Sequence, residues 1–169
     1  MLAPCLIIAI GNESRGDDAL GPKLLHRLQA WIESHGLAEQ FELIEEFQLQ
    51  IEHTLDITGR RLILFVDAGE HTPAPFSFYQ AQPKRLDGHT SHAVAPETLL
   101  GIYAQVHGET PPPAFILCIA GKAFELGEPL SIEATQHLNT TFDFACQLLA
   151  CADLQAWSLL APAHEMNSL

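Results

Sequence analysis

The chain has 169 residues, of which 47% are hydrophobic and 17% are charged, a composition typical of one folded domain rather than of a disordered chain. It carries 21 Asp and Glu against 8 Lys and Arg, a formal net charge of −13 at pH 7. An acidic surface repels the phosphates of nucleic acid and anionic lipid, so we expect neither nucleic acid nor a membrane as a partner. A basic protein surface or a cation fits this charge better.

The N-terminal segment MLAPCLIIAIGN is apolar over too few residues to span a bilayer, and it lacks the basic start of a signal peptide. We therefore expect a cytoplasmic protein with reduced thiols. The four cysteines form no C-x-x-C pair, so they are predicted to be buried, unreactive thiols. A monomer is expected.

Apolar runs alternate with helical patterns along the chain, which indicates an α/β fold. In chain order the pattern predicts a strand at 5–10, a helix at about 18–34, a strand at 41–45, a short helix at 51–58, strands at 61–67 and 76–81, a helix at 96–107, a strand at 114–120 and a helix from about 131. A single domain spans residues 1–169, with its core at about 5–152 and a loose tail from about 162.

The run at 5–10 is continuously apolar, as in a strand that is buried on both faces, and the run at 61–67 is strongly apolar between Arg61 and Asp67. The predicted fold is therefore a three-layer α/β domain, in which a five-stranded, mostly parallel, twisted sheet carries helices on both faces. In such sheets ligands bind beyond the carboxyl ends of the strands, where the chain order changes direction.

The loop after the first strand reads GNESRGDDALG, from Gly11 to Gly21. Its glycine spacing matches neither G-x-G-x-x-G nor a P-loop, and Asp17 and Asp18 occupy the helix start where a phosphate would bind. The two aspartates either form part of a site or only complement the helix dipole.

Asp67 closes the buried strand at 61–67, and His89 and His92 lie in the loop before the helix at 96–107. Asp67 is either a site residue at the carboxyl edge or a cap for the next turn, and each histidine, taken singly, is more often a surface residue than a ligand. Together, two carboxylate positions and an imidazole form a nitrogen and oxygen ligand set for a divalent metal.

These residues resemble a known family, the hydrogenase maturation endopeptidases. The resemblance is carried by the string GNESRGDDALG, the strand ending in VDAG, a histidine ahead of a proline-started helix, and the segment GKAFELGEPLS after an apolar strand. It extends from about residue 5 to residue 150.

The resemblance implies a five-stranded sheet that presents three metal-contacting residues, Asp18, Asp67 and His92, with His89 as the alternative third ligand. It also implies an activity: the enzyme recognises nickel already inserted in the precursor of a hydrogenase large subunit and removes a short C-terminal peptide. Nickel is then a metal ion that the site binds transiently and shares with the ligands of its substrate.

The chain departs from the family pattern after its second strand. Many relatives carry a Gly-Gly-Thr loop there, whereas this chain has EFQLQIEH. Gln48, Gln50 and Glu52 are the residues of this loop that we expect to contact the partner and to help select it.

No serine or cysteine with a paired base stands in these motifs, which favours attack by water. Asp18 and Asp67 are the candidate catalytic residues, whether nickel activates the water or serves for recognition only. Asp17 is expected only to complement the helix dipole. A nickel-sensing checkpoint that docks the large subunit without cutting it remains the alternative, and a nucleotide-binding enzyme is disfavoured by the glycine spacing.

Overall fold

A five-stranded sheet forms the centre of the protein in a computed structural model that describes residues 1–86 and 93–162. Its strands are β1 (Cys5–Ile10), β2 (Phe41–Glu46), β3 (Leu62–Gly69), β4 (Phe76–Ala81) and β5 (Ala114–Ala120). They lie in the order β2-β1-β3-β5-β4, and every neighbouring pair is parallel except β4 and β5. The predicted α/β fold with a mostly parallel sheet is confirmed.

Helices cover both faces of this sheet. They are α1 (Leu20–Ser34), α2 (Thr54–Ile57), α3 (Pro96–His107), α4 (Ile132–Ala150) and α5 (Leu154–Leu160), with 3-10 turns at Gly16–Ala19 and Ile51–His53. Apolar residues of α1, α4 and α5 pack on one face, and those of α2 and α3 pack on the other. The arrangement has three layers, as expected.

The central strands supply both cores at once. Along β1, Ile7 and Ala9 belong to the core beneath α1 and α4, whereas Leu6 and Ile8 belong to the core beneath α3. Alternate residues of a strand point to opposite faces. Burial on both faces therefore explains why the sequence of β1 is apolar without interruption.

The last helix, α5, is not predicted by the sequence pattern. It has seven residues, too few for an apolar periodicity to repeat. The Asp153 side chain caps its start by accepting a hydrogen bond from the Ala156 N–H. Trp157 is 1% exposed, and its indole Nε1 donates to the Leu148 carbonyl at 2.9 Å. A single buried aromatic residue thus attaches the segment to the core.

The cysteines are less buried than the sequence predicts. All four cysteines are free, but only Cys5 is fully buried and Cys151 is exposed, so the prediction of four buried thiols is wrong. Cys151 is the residue that follows the end of α4 at Ala150. No described helix is both long and apolar enough to span a bilayer. The tail at 163–169 lies outside the described residues, and the domain limits stay a prediction.

The turn before α1 is held by a buried carboxylate. Asp17 is 0% exposed and accepts hydrogen bonds from the backbone N–H groups of Lys122 (2.7 Å), Ala123 (3.1 Å) and Ser131 (2.8 Å). The Ser131 hydroxyl donates to it at 2.8 Å and also accepts from the Ala134 N–H as the cap of α4. The expectation that Asp17 only complements the helix dipole is therefore wrong, since its donors come from the loop between β5 and α4.

Backbone contacts strengthen the same junction. The Asp17 N–H donates to the Ala123 carbonyl at 2.7 Å, and the Gly127 N–H donates to the Ser14 carbonyl at 2.7 Å. Gly16 has φ +53°, and a Cβ at this position would stand 2.3 Å from the Ala123 carbonyl oxygen. Only glycine allows the two loops to lie this close together.

Burial by itself would raise the pKa of Asp17, but the hydrogen bonds from Ser131, Lys122 and Ala123 outweigh it and hold the pKa below its ordinary value.

Asp17→Asn should lower the free energy of unfolding by about 2 kcal/mol at pH 7. The amide nitrogen of Asn is itself a donor, so it cannot accept the hydrogen bonds that one of the carboxylate oxygens accepts. Since the folded-state pKa is lowered, this difference should shrink as the pH falls below about 4. Urea denaturation measures both effects. The exposed Glu133, changed to Gln, is the control, and equal losses for the two variants would contradict the role of Asp17.

Candidate active site

The carboxyl ends of β1 and β3 are the point where the sheet order changes direction. From β1 the chain goes to β2 on one side, and it returns to β3 on the other. Asp67 lies near the carboxyl end of β3, and Asp18 lies in the 3-10 turn that follows β1. Both candidate catalytic residues are therefore at the edge where ligands bind in such sheets.

Two glycines let the turn that carries Asp18 approach the strands. A Cβ on Gly21 would lie 2.6 Å from the Ile10 carbonyl oxygen and 3.2 Å from the Val66 carbonyl oxygen. A Cβ on Gly11 would lie 2.1 Å from the carbonyl oxygen of Asp18. The glycines that open and close GNESRGDDALG thus serve close backbone packing rather than phosphate binding.

Asp18 is oriented by its own loop. It is half-buried, and its Oδ2 accepts a hydrogen bond from the Asn12 N–H at 2.7 Å. The Asn12 side chain in turn accepts from the Ser14 N–H at 2.9 Å. This chain of bonds fixes the Asp18 carboxylate relative to the end of β1.

Asp67 has an unusual environment for a carboxylate. Burial raises its pKa to about 7, although the Ala68 N–H, which donates to Oδ1 at 2.8 Å, acts in the opposite direction. The negative charge of Asp18 raises this pKa further. The two aspartates are thus close enough to influence each other, and Asp67 changes protonation state near neutral pH.

Other polar groups around Asp67 are not indicated by the sequence. Cys118 of β5 pairs with Asp67 in the register of the sheet. The Cys118 Sγ lies 3.1 Å from the Thr72 Oγ1, and burial raises the pKa of the Cys118 thiol. The pKa of Tyr79 on β4 is raised to about 12 by burial and by the charges of Glu97, Cys118 and Asp67. Strand pairing alone brings these residues beside Asp67, so no local sequence signal announces them.

The remaining metal-ligand candidates, His89 and His92, lie outside the described residues, and their role stays a prediction. Beyond this gap, the Val94 N–H donates to the Leu49 carbonyl at 3.1 Å. Before it, the Lys84 N–H donates to the Glu97 carbonyl at 2.9 Å.

Two carboxylates and an imidazole are a ligand set suited to borderline divalent metals. Burial is the main cause of the raised pKa of Asp67 and the charge of Asp18 adds to it, so a cation held near both carboxylates would lower that pKa. Three exposed side chains elsewhere, Glu13, His26 and Glu45, place ligand atoms within 4.8 Å of one another. There the two carboxylates face the two different imidazole nitrogens of His26, Glu13 at 3.7 Å from Nδ1 and Glu45 at 2.7 Å from Nε2.

The predicted partner loop lies beyond the end of β2 at the same edge. The Gly11 N–H donates to the Glu46 carbonyl at 3.0 Å, which ties this strand end to the loop carrying Asp18. Gln48 and Gln50 line a cavity of about 410 Å³. Glu52 is exposed in the 3-10 turn that follows.

Replacing Asp67 by Asn should stabilise the protein. Because the folded-state pKa lies above the ordinary value of 3.8, the folded protein binds the proton more tightly than the unfolded chain, and stability falls as pH rises from about 4 to 7. The variant should exceed the parent by on the order of 2 kcal/mol at pH 8 and match it near pH 4. Denaturation with chelator present, with exposed Glu39 changed to Gln as control, tests this. An unchanged pH profile would contradict it.

No protein-family model matches the sequence, and no curated protein matches it in sequence. Solved structures do match. The [NiFe] hydrogenase maturation protease HycI from Thermococcus kodakarensis KOD1 superposes with a TM-score of 0.65 at 20% identity, covering 88% of this chain and 93% of that one.

Two further structures agree. The hydrogenase maturating endopeptidase HybD from E. coli gives a TM-score of 0.61 at 15% identity over 88% of this chain and 93% of its own. The hydrogenase 2 maturation peptidase from Thaumarchaeota archaeon SCGC_AB-539-E09 gives 0.60 at 22% identity over 86% and 97%. The chain therefore has the fold of these hydrogenase maturation proteases.

Proposed function

We propose that the protein is an endopeptidase that removes a C-terminal peptide from the nickel-loaded precursor of a hydrogenase large subunit. The observation that carries the proposal is the electrostatically coupled pair Asp18 and Asp67 at the switch point of the sheet. It occurs in a fold shared with solved hydrogenase maturation proteases. Four free cysteines suit the reducing cytoplasm, where we place the reaction.

The two aspartates have complementary tasks in this proposal. In one route nickel serves for recognition only, and Asp67, whose pKa without a metal ion is about 7, accepts a proton from an attacking water and returns it to the leaving amine, as a general base and then a general acid. Asp18, fixed by the Asn12 N–H, lies near enough to raise the pKa of Asp67. In the other route the precursor's nickel, held by Asp18, Asp67 and His92, would both mark the loaded substrate and supply Lewis-acid character at the bond to be cut, in place of Asp67 as the base.

The three ligand candidates should behave as one unit. Asp67→Asn, Asp18→Asn and His92→Ala should each lower trimming by at least about 100-fold, and double variants should be little worse than single ones, because residues acting together are not additive. Mass spectrometry of the precursor measures trimming, and circular dichroism checks the fold. His89→Ala tests the alternative ligand.

Glu133→Gln is the control for these variants, because Asp17→Asn would disturb the loop junction. Near-normal trimming by a folded Asp67→Asn variant would refute the site. A precursor whose mass never falls with the parent enzyme would leave a checkpoint that docks without cutting.

The metal content of the precursor should decide whether it is cut. Nickel-loaded precursor should be trimmed and metal-free precursor should not, because the protein's ligands engage the precursor through its bound nickel ion. Parallel incubations followed by mass spectrometry, with zinc-loaded precursor as a third sample, give the comparison. Equal rates for loaded and metal-free precursor would exclude nickel sensing.

A further inference from the structure

Strand β3 extends beyond the point where its pairing with β1 stops. The register between the two strands ends at Ala9 and Val66, whereas β3 continues through Gly69. On the other side, residues 67–69 remain paired with β5, and all three are half-buried. Within the described part of the chain, one backbone edge of residues 67–69 therefore lacks a neighbouring strand.

Ala68 is the residue of this extension whose backbone faces the open edge. Successive residues of a strand direct their N–H and C=O groups to alternate sides. The Gly69 carbonyl accepts from the Gly121 N–H at 3.0 Å, on the side of β5. The N–H and C=O groups of Ala68 must then point toward the end of β1. The start of β3 follows the same alternation, since the Leu62 N–H donates to the Pro4 carbonyl just before β1.

The two candidate catalytic aspartates replace the ladder partners at this point. If β1 continued, the Ala68 N–H would donate to the Ile10 carbonyl, and the Asn12 N–H would donate to the Ala68 carbonyl. Instead, the Ala68 N–H donates to the Asp67 Oδ1 at 2.8 Å. The Asn12 N–H donates to the Asp18 Oδ2 at 2.7 Å. The described residues therefore supply no donor to the Ala68 carbonyl, and the Asp67 carboxylate lies over the open edge.

The loop after β1 does not extend the ladder. The Gly11 N–H donates to the Glu46 carbonyl at 3.0 Å, so the chain turns toward β2. The backbone of Gly21 packs against the Ile10 carbonyl oxygen, which a Cβ at position 21 would approach to 2.6 Å. The Ala68 carbonyl is thus the acceptor that remains on this edge. An unpaired backbone group on a strand edge is the feature to which an extended peptide adds.

We propose that the open edge of β3 at Ala68 binds an extended segment of the substrate precursor, with a backbone N–H of that segment donating to the Ala68 carbonyl. The proposal rests on the proposed function and adds how the chain to be cut is held. Neighbouring strands lie about 4.8 Å apart, so a segment in this position passes beside Asp67 with room for a water molecule at the carboxylate. Because backbone atoms make the contact, this part of recognition does not depend on the side chains of the segment.

Selective isotope labelling makes the contact observable. The dipeptide Ala-Gly occurs at 68–69 and 120–121 only, so a chain with carbonyl-labelled alanine and nitrogen-labelled glycine gives one HNCO signal for each. The labelled Asp67→Asn chain, which should not cut, is measured alone and with nickel-loaded precursor. The Ala68 carbonyl signal should move downfield as that carbonyl gains a hydrogen bond. The Ala120 carbonyl already accepts from the His137 Nδ1 at 2.8 Å, so its signal is the internal control and should stay in place.

A proline at position 68 should block the edge without breaking the sheet. It removes an N–H that the ladder does not use, and it places its ring on the open edge. Ala68→Pro should therefore raise the KM of trimming by about tenfold, whereas Ala68→Ser, which keeps the N–H, should trim like the parent. The proline also removes the donor to Asp67, but that loss should lower kcat rather than raise KM. Circular dichroism checks the fold of both variants.

An Ala68 carbonyl signal that does not move would overturn the binding edge, and so would a folded Ala68→Pro variant with the KM of the parent. In either case, trimming by the parent would leave the proposed function standing. If the Ala68 signal moves but the parent never lowers the mass of the precursor, the proposed function fails and the binding edge stands. Should Ala68→Pro not fold, the carbonyl signal alone decides.

Discussion

The buried carboxylate of Asp17 organises the part of the molecule on which the candidate site depends. Placing an anion at 0% exposure is unfavourable unless donors surround it, and the loop between β5 and α4 supplies four. The turn that carries Asp17 also carries Asp18. By fixing one aspartate in the interior, the protein fixes the backbone from which the next one reaches the edge of the sheet.

Asp17 and Asp67 show how environment divides the roles of chemically identical groups. Both are removed from water, but hydrogen bonds hold the pKa of Asp17 low, whereas Asp67 receives one backbone N–H and the repulsion of Asp18, and its pKa rises to about 7. The first arrangement stabilises the fold. The second destabilises it at neutral pH and yields a group that can exchange protons or bind a cation, a combination typical of functional sites.

The parallel sheet brings the candidate site and the predicted partner loop to one edge. The aspartates stand at the ends of β1 and β3, and the segment with Phe47 follows the end of β2, which pairs with β1. The predicted partner loop and Asp67 thus lie at the same edge of the sheet but are carried by different strands.

The sequence by itself determined the architecture, because continuous apolar runs bounded by glycine and proline report burial directly. The bounds of β1, β4, β5 and α3 follow from it, and so do the positions of Asp18 and Asp67 at strand ends. Only the tertiary structure decided the role of Asp17, whose donors lie 105 to 114 positions away, and the presence of Cys118 and Tyr79 beside Asp67. It also decided the pKa of Asp67, since desolvation and the charge of Asp18 act through space and leave no local pattern in the chain.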